Sequence, residues 1–549
     1  MTPSKWLQRF TSNEEVMTQV YGHDPALRHM ARRLWQDTLQ CFLNRFGERD
    51  VRLFRSPGRI NLRGMHVDTH GGYLNLMTHQ RETVVVAAPS DDHTTTAVNT
   101  EPVFREVAFP TNELSADAAC HMPWNDFIVS PGVRRRVSAN AGSWGNYIEG
   151  CALNVQHRFT DRAVPALYLA VGSSLPRGAA LSSSAALCTS VVLAFSHWAG
   201  RAPAPEELIL SARDAEWYAG SRCGVSDQAA MVLGAPKQCV NVALHPARFD
   251  ISPARAYAFP DEIDVLVIDS QTERSLSGKQ LIDYTRNRFA YSIALHVCRQ
   301  ELAELGTSPE RLASVDSLPA LAPCAWEDRG GLELVYRILL RIPETIELDT
   351  LRERYEIPEL DALYLEHFGN VPEEERPRSF RLRGPLLFGI AESERARVFP
   401  QAVERGEWQR AGRLMSLGHD GDRRVQRNGS PYVFDTSDRA LRKLAADRVP
   451  VEHCPGAYGA STHALDFLVD SALEAGAYGA SLTGAGLAGS VLALCPRDAS
   501  EKIASRLRET LASLEYARIS GAQEPCAAET AEKSVLPNRA IAGAGEIRP

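Results

Sequence analysis

The sequence predicts a protein of mixed helices and strands, and three observations carry that reading. Short apolar runs of strand length recur along the chain, at residues 51–54, 83–88 (TVVVAA), 167–171, 263–269 (IDVLVID) and 490–495. Between them lie longer stretches without Gly or Pro, or with apolar residues at helical spacing. The 549 residues leave room for two to four domains around a sizeable core.

Residues 1 to about 50 read as helical, because Leu27, Met30, Leu34, Leu39 and Phe42 recur on one face. The strand at 51–54 stops at the breaker Ser56-Pro57-Gly58. The strand at 167–171 runs into a loop with Gly172 and Gly178, then into an apolar, small-residue helix from Ser182 to about Trp198. A helix with an acidic start covers 205–218, and a long one covers 280–305. Residues 321–377, rich in Pro and Glu, read as a peripheral, solvated helical insertion. Helices resume at 387–417, 461–475 and 499–514, and the stretch from Gly521 onward reads as a tail.

A hydrophobic fraction of 44% suits a globular protein, and a net charge of −8 gives no electrostatic basis for nucleic acid or an anionic membrane surface. No apolar run approaches the ~18 residues of a membrane helix. Met1 to Phe10 has no signal-peptide pattern. Eleven dispersed cysteines without a CxxC pair point to reduced thiols and a cytoplasmic protein.

Four segments carry chemistry. In residues 176–186 (PRGAALSSSAA) small side chains precede three serines at a helix start. Unpartnered N–H groups and the helix dipole there favour a polyanion, at about 0.3–2 kcal/mol per helix, so hydroxyls and a metal would have to help. There is no GK[ST], which excludes a Walker A loop. In residues 57–72 (PGRINLRGMHVDTHGG), Arg59, Arg63, His66, Asp68 and His70 crowd one loop, a set suited to a polyhydroxylated ligand. In residues 216–228, Glu216 closes one helix and Asp227 opens another, the metal carboxylate and base carboxylate that phosphoryl transfer requires. Residues 484–489 (GAGLAG) precede a strand rather than a helix, which argues against dinucleotide binding. Taken singly, each segment also reads as ordinary capping, a charged hairpin or a tight turn.

Together these segments, with SWGNYIEG at 143–150, LMSLGHDGDRR at 414–424 and YGASLTGAGLAGS at 478–490, resemble the GHMP kinases and, within them, the galactokinases. The resemblance covers about residues 45–300 and 380–500. It implies a two-lobed α+β fold with the active site in the cleft between the lobes. Its expected divisions are an N-terminal extension (1–45), an N-terminal kinase domain (46–255), a C-terminal kinase domain (256–520) and a tail (521–549). It implies ATP-dependent phosphorylation of a sugar at the anomeric hydroxyl. Gly178, Ala179, Ala180, Leu181, Ser182, Ser183 and Ser184 would wrap the triphosphate. Ser184 and Glu216 would hold Mg²⁺. Asp227 would be the general base and Arg59 its partner. Met65, His66, Val67 and Asp68 occupy the sugar stretch, and Tyr284 matches a sugar-contacting tyrosine. The expected partner is a small sugar, with the chain a monomer or small homo-oligomer.

The sequence departs from the galactokinase pattern in having Met65 in place of Glu and Arg63 in place of Ile. A thioether cannot replace a charged hydrogen bond worth about 1.5–3 kcal/mol. The expected substrate is therefore a pentose, a 6-deoxy sugar or a uronic acid rather than galactose, with Arg63 or His66 available to a carboxylate. The helix after Phe380 (FRLRGPLLFG) is eroded, which bears on helix packing rather than catalysis. The alternatives are a catalytically silent sugar- and ATP-binding regulator, which should show damage at the serines or at Asp227, and a GHMP kinase acting on mevalonate or homoserine.

Overall fold

The computed structural model describes residues 1–12, 14–111, 122–159, 163–176, 178, 181–245, 249–272 and 279–548. Ala179 and Ala180 of the expected phosphate loop lie outside the described residues.

Two antiparallel strands form the spine: β1 (Arg52–Arg63) and β2 (Gly72–Pro89), joined by the loop 64–71. They belong to a mixed sheet with β3 (Thr94–Asn99), β4 (Val107–Pro110), β5 (Leu167–Ser173), β6 (Gln238–Leu244) and β7 (Arg255–Ala258). Among the described residues only β3 and β5 pair in parallel within it. The alternation of β2 decides its layers. Val85 and Ala87 face the helices Gly145–Arg158, Ser183–Trp198 and Pro205–Tyr218. Val84, Val86 and Ala88 face the helices Pro3–Ser12, Glu14–Tyr21 and Pro25–Phe46. The N-terminal extension therefore covers the part of this sheet around Leu53, Val84, Val86, Ala88 and Ala170. Its Trp35 indole donates to the Tyr21 hydroxyl at 2.9 Å, and Tyr21 in turn bonds Glu82 in a buried pair with Arg55.

The second sheet contains β8 (Ile263–Asp269), with β11 (Gly479–Thr483), β12 (Ser490–Pro496) and β13 (Val535–Pro537), in the order β11-β12-β8-β13. A short hairpin, β9 (Thr345–Glu347) with β10 (Ser379–Arg381), stands apart from both. Val265, Val267, Leu492 and Leu494 meet Ile60, Leu62 and Met77 of the first sheet in one apolar cluster, and Leu181 and Ala185 of the phosphate-loop region join it. This shared core joins the two sheets beneath Leu181 and Ala185.

Most elements fall where the sequence places them; the helix Pro205–Tyr218 matches to the residue. Four readings are corrected. The strand read at 51–54 does not stop at Ser56-Pro57-Gly58 but runs through it to Arg63 as β1. The span 387–417 is two helices, Arg383–Glu404 and Trp408–Asp422, separated by the turn at Gly406. The insertion 321–377 is not a solvated appendage: Trp326, Leu334, Tyr336, Leu351, Tyr364 and Phe368 lie in the main core. The region from 521 is not a loose tail either. After β13 joins the second sheet, Asn538 donates to the Thr78 carbonyl at 3.1 Å, and β14 (Gly545–Ile547) pairs with β1. One strap thus fastens both sheets. The altered helix start is well packed, since Arg383 donates to the Ile342 and Thr436 carbonyls at 3.0 and 2.9 Å.

Candidate active site

The site is built where β1 passes the start of the helix Ser183–Trp198. A register irregularity in β1 falls between Pro57 and Arg59. A Cβ on Gly58 would lie 2.4 Å from Leu175 Cδ2 and 3.1 Å from the Leu181 carbonyl oxygen, so only glycine lets the serine loop come this close. The Arg59 N–H donates to that Leu181 carbonyl at 3.4 Å. Arg59 is thereby held against the loop, and its guanidinium Nε donates to Asp227 Oδ1 at 2.7 Å.

Asp227 lies in the first turn of the helix Ser226–Leu233. Its other oxygen accepts from the Ser182 hydroxyl. Burial would raise its carboxyl, but the Arg59 charge and the hydrogen bonds from Arg59, Ser182 and Ser226 outweigh it and hold the group below the ordinary value. Asp227 is therefore ionised at neutral pH. Ser182 adopts left-handed backbone angles (φ 62°, ψ 54°), unusual for a non-glycine residue, and its side chain does not cap the helix it precedes. The hydroxyl goes to Asp227 instead, and the first-turn N–H groups have no side-chain cap. Gly178, at φ 79°, has open space on its Cβ side. These features fit a polyanion lying across Gly178 to Ser184.

Ser184 Oγ donates to Glu216 Oε1 at 2.7 Å, and Gln228 Nε2 donates to the other oxygen. Glu216 is 3% exposed, and among the described residues no Arg, Lys or His pairs with it. Burial, reinforced by the Asp227 charge, raises its carboxyl to about 7 against the hydrogen bonds of Ser184, Cys223 and Gln228. A buried carboxylate lacking a cation, next to a hydroxyl oxygen, suits a hard divalent ion. Among the described residues no group of three or more His, Cys, Asp or Glu forms a protein-only metal cage. Mg²⁺ needs none, since it usually takes one or two carboxylates plus phosphate oxygens.

In the loop 64–71 successive side chains alternate. Met65 and Val67 are buried in the main apolar core, and His66 and Asp68 are the polar pair between them. His66 has a positive φ of 61°. Its ring stacks on Tyr458 at 4.4 Å and meets Tyr284 edge-on at 5.9 Å, so the structure brings Tyr284 to the loop. His66 Nε2 stands 3.3 Å from Asp422 Oδ1. Asp68 accepts from the Ser226 hydroxyl at 2.8 Å, and a Cβ on Gly224 would collide with its carboxylate. Ser226 Oγ is also 3.5 Å from Asp227 Oδ1, which links this loop to the aspartate.

Arg63 does not face this pocket. It is 1% exposed and donates to Glu392 Oε2 at 3.3 Å and to the Leu414 and Met415 carbonyls at 3.1 and 3.2 Å. The expectation that it meets a substrate carboxylate is corrected: the β1 irregularity between Asn61 and Arg63 turns it onto the helix Trp408–Asp422. Glu392 also accepts the N–H groups of Gly64 and Met65 at 2.8 and 3.1 Å and pairs with Arg395 at 2.7 Å. The glycines 484–489 connect β11 to β12; Ser490, at their end, lines a small crevice with Pro176 and Leu181. Sequence reasoning missed Ser226, Gln228, Glu392, Asp422 and Tyr458. Ser226 and Gln228 flank Asp227, and Asp422 lies within the 414–424 segment, so these could have been flagged; Glu392 and Tyr458 are remote in sequence and had no local signal.

Family models match in three places. GHMP kinases N terminal domain covers residues 146–235, which hold the serines, Glu216 and Asp227. GHMP kinases C terminal covers 434–513. In these two stretches the chain is similar to the GHMP kinases. Residues 40–89, with Arg59 and the His66 loop, match the galactokinase galactose-binding signature. A galactokinase from Chloroflexus aggregans is 29% identical over 266 residues, which are 48% of this chain and 60% of that relative. The fold resembles Lactococcus lactis galactokinase, solved with galactose, at a TM-score of 0.59 and 18% identity over 92% of this chain and 98% of that one. Methanococcus jannaschii mevalonate kinase superposes at a TM-score of 0.44 and 12% identity over 84% and 95% of the two chains.

Proposed function

We propose that this chain is an ATP-dependent sugar kinase that phosphorylates the anomeric hydroxyl of a galactose-like sugar. The observation that carries the reading is Asp227, held between Arg59 and Ser182 at the start of the serine helix. Asp227 takes the hydroxyl proton as the sugar oxygen bonds to the γ-phosphorus and the bridging P–O bond to the β-phosphate breaks, releasing ADP. An ionised carboxylate is a weak base for an alcohol, so the proton moves late in a loose transition state. Arg59 keeps Asp227 charged and balances charge on the transferring group, while the fixed loop supplies positioning. Ser184 and Glu216 would hold Mg²⁺, which neutralises phosphate charge when bound.

The sugar is not plain galactose in this reading, because the Met65 thioether offers no charged hydrogen bond to an outer hydroxyl. An ADP-release assay over galactose, arabinose, fucose and galacturonate tests this, with one of the last three expected to be turned over best. Galactose as the best substrate would overturn the substrate reading, and ADP release from none of them would overturn the kinase reading. We place the protein in the cytoplasm: the described cysteines are all free, and among the described residues no helix is long and apolar enough to cross a membrane.

A metal at Glu216 predicts a pH dependence. The folded-state carboxyl, near 7, lies above its ordinary 4.5, so the folded protein binds this proton more tightly than the unfolded chain does. The stability that protonation contributes is lost as pH rises from about 4.5 through 7. Mg²⁺ competes with that proton. Mg²⁺ is expected to raise the thermal midpoint more at pH 8 than at pH 6, and Glu216→Gln should abolish the difference. Equal shifts at both pH values would remove Glu216 as a ligand.

A further inference from the structure

Among the described residues, one cation near the His66 loop, Arg288, has no carboxylate partner. The helix Lys279–Glu304 presents Tyr284, Arg288 and Tyr291 at intervals of four and three residues, which aligns them on one face. Tyr284 lies edge-on to His66 at 5.9 Å and to Tyr458 at 6.1 Å. Tyr291 lies 5.5 Å from Tyr458 and 5.2 Å from the His70 ring. Arg288, between the two tyrosines, is half-buried. Its Nη1 donates to the Arg222 carbonyl at 3.3 Å, and Arg222 is two residues before the Gly224 that accommodates Asp68. Arg288 thus emerges on the helix face that Tyr284 and Tyr291 turn toward His66 and His70.

The Nε of Arg288 is buried with no hydrogen-bond partner, and among the described residues no carboxylate pairs with this guanidinium. Buried charges in proteins are normally paired, and a planar guanidinium is matched best by a carboxylate. Arg63, the other cation near this loop, is already committed to Glu392. The Asp227 end of the pocket is reached from Asp68 through Ser226, whereas Arg288 is reached from Asp68 through Gly224 and Arg222. A ligand spanning the pocket can thus present a hydroxyl at one end and an anion at the other.

We propose that the sugar is an acid, a hexuronate whose C6 carboxylate pairs with Arg288 while its anomeric hydroxyl faces Asp227. This rests on the kinase reading and deepens it, with Arg288 determining specificity. The test is the ratio of kcat/KM for galacturonate to that for galactose, in the unmodified protein and in Arg288→Gln and Arg288→Lys. A ratio above about 10 is expected, falling ~10 to 100-fold in Arg288→Gln, mainly through KM. Arg288→Lys should retain part of it, and carries the comparison if Arg288→Gln does not fold. A wild-type preference for galactose, a ratio unmoved by either substitution, or preferred turnover of galactose 6-phosphate would overturn the acid assignment and leave the kinase standing. No ADP release from any sugar would overturn the kinase reading, and this assignment with it.

Discussion

Asp227→Asn is expected to lower turnover by about 10² to 10⁴-fold, the range over which a positioned general base contributes. Asparagine keeps the shape and can still accept from Arg59 at its amide oxygen, so the loop geometry is preserved. It loses the negative charge that balances Arg59 and the capacity to accept the hydroxyl proton. Nucleotide binding, carried by the serine loop and the helix start, should persist within a few-fold by calorimetry. The unmodified protein should also keep Asp227 ionised well into the acidic range, because Arg59, Ser182 and Ser226 override the burial that would raise the carboxyl. The acid limb of the pH–rate profile should therefore not be set by an upshifted Asp227. Turnover of Asp227→Asn within about tenfold of wild type would remove Asp227 from the base role.

Glu392→Gln is expected to destabilise the protein by about 3–5 kcal/mol, the cost of leaving a buried ion-pair partner uncompensated. Glu392 is fully buried between Arg63 and Arg395, which are 1% and 0% exposed at their side chains. Burial alone would raise its carboxyl, yet the two guanidinium charges hold it below the ordinary value. Among the described residues neither arginine has a second carboxylate. The midpoint of urea unfolding checks the prediction. Because Glu392 also accepts the Gly64 and Met65 N–H groups, KM for the sugar should rise even where the variant remains folded. An unchanged midpoint would mean that the carbonyls around Arg63 and Arg395 suffice to solvate them.

Much of the site was legible because its chemistry sits in short contiguous segments. PRGAALSSSAA, the Glu216–Asp227 stretch and the His66–Asp68 loop each announce a ligand type through residue kinds and spacing. Arg59 with Asp227 and Ser184 with Glu216 are brought together as the resemblance implied. Side-chain direction was less accessible. Arg63 reads as a cation beside a sugar loop, but a strand irregularity turns it into the protein. Met65 and Val67 belong to the loop in sequence and to the apolar core in space, where a turn with positive φ at Gly64 and His66 places them. Asp422 and Tyr458 gave no hint of their place against His66.

Residue order alone indicated the fold class and the family resemblance. Strand and helix periodicity, the serine-rich helix start and the acidic pair depend on neighbours within a dozen positions, where local geometry follows from local composition. Folding in three dimensions assigned the partners: Ser182 to Asp227, Glu392 to two arginines, the last residues to the edges of both sheets, and Arg288 to no carboxylate among the described residues. Apart from Glu392 with Arg395, three residues away, these pairings join positions from 45 to almost 500 apart in the chain. No local pattern encodes them, because burial, strand register and desolvation arise only when distant segments close around one another.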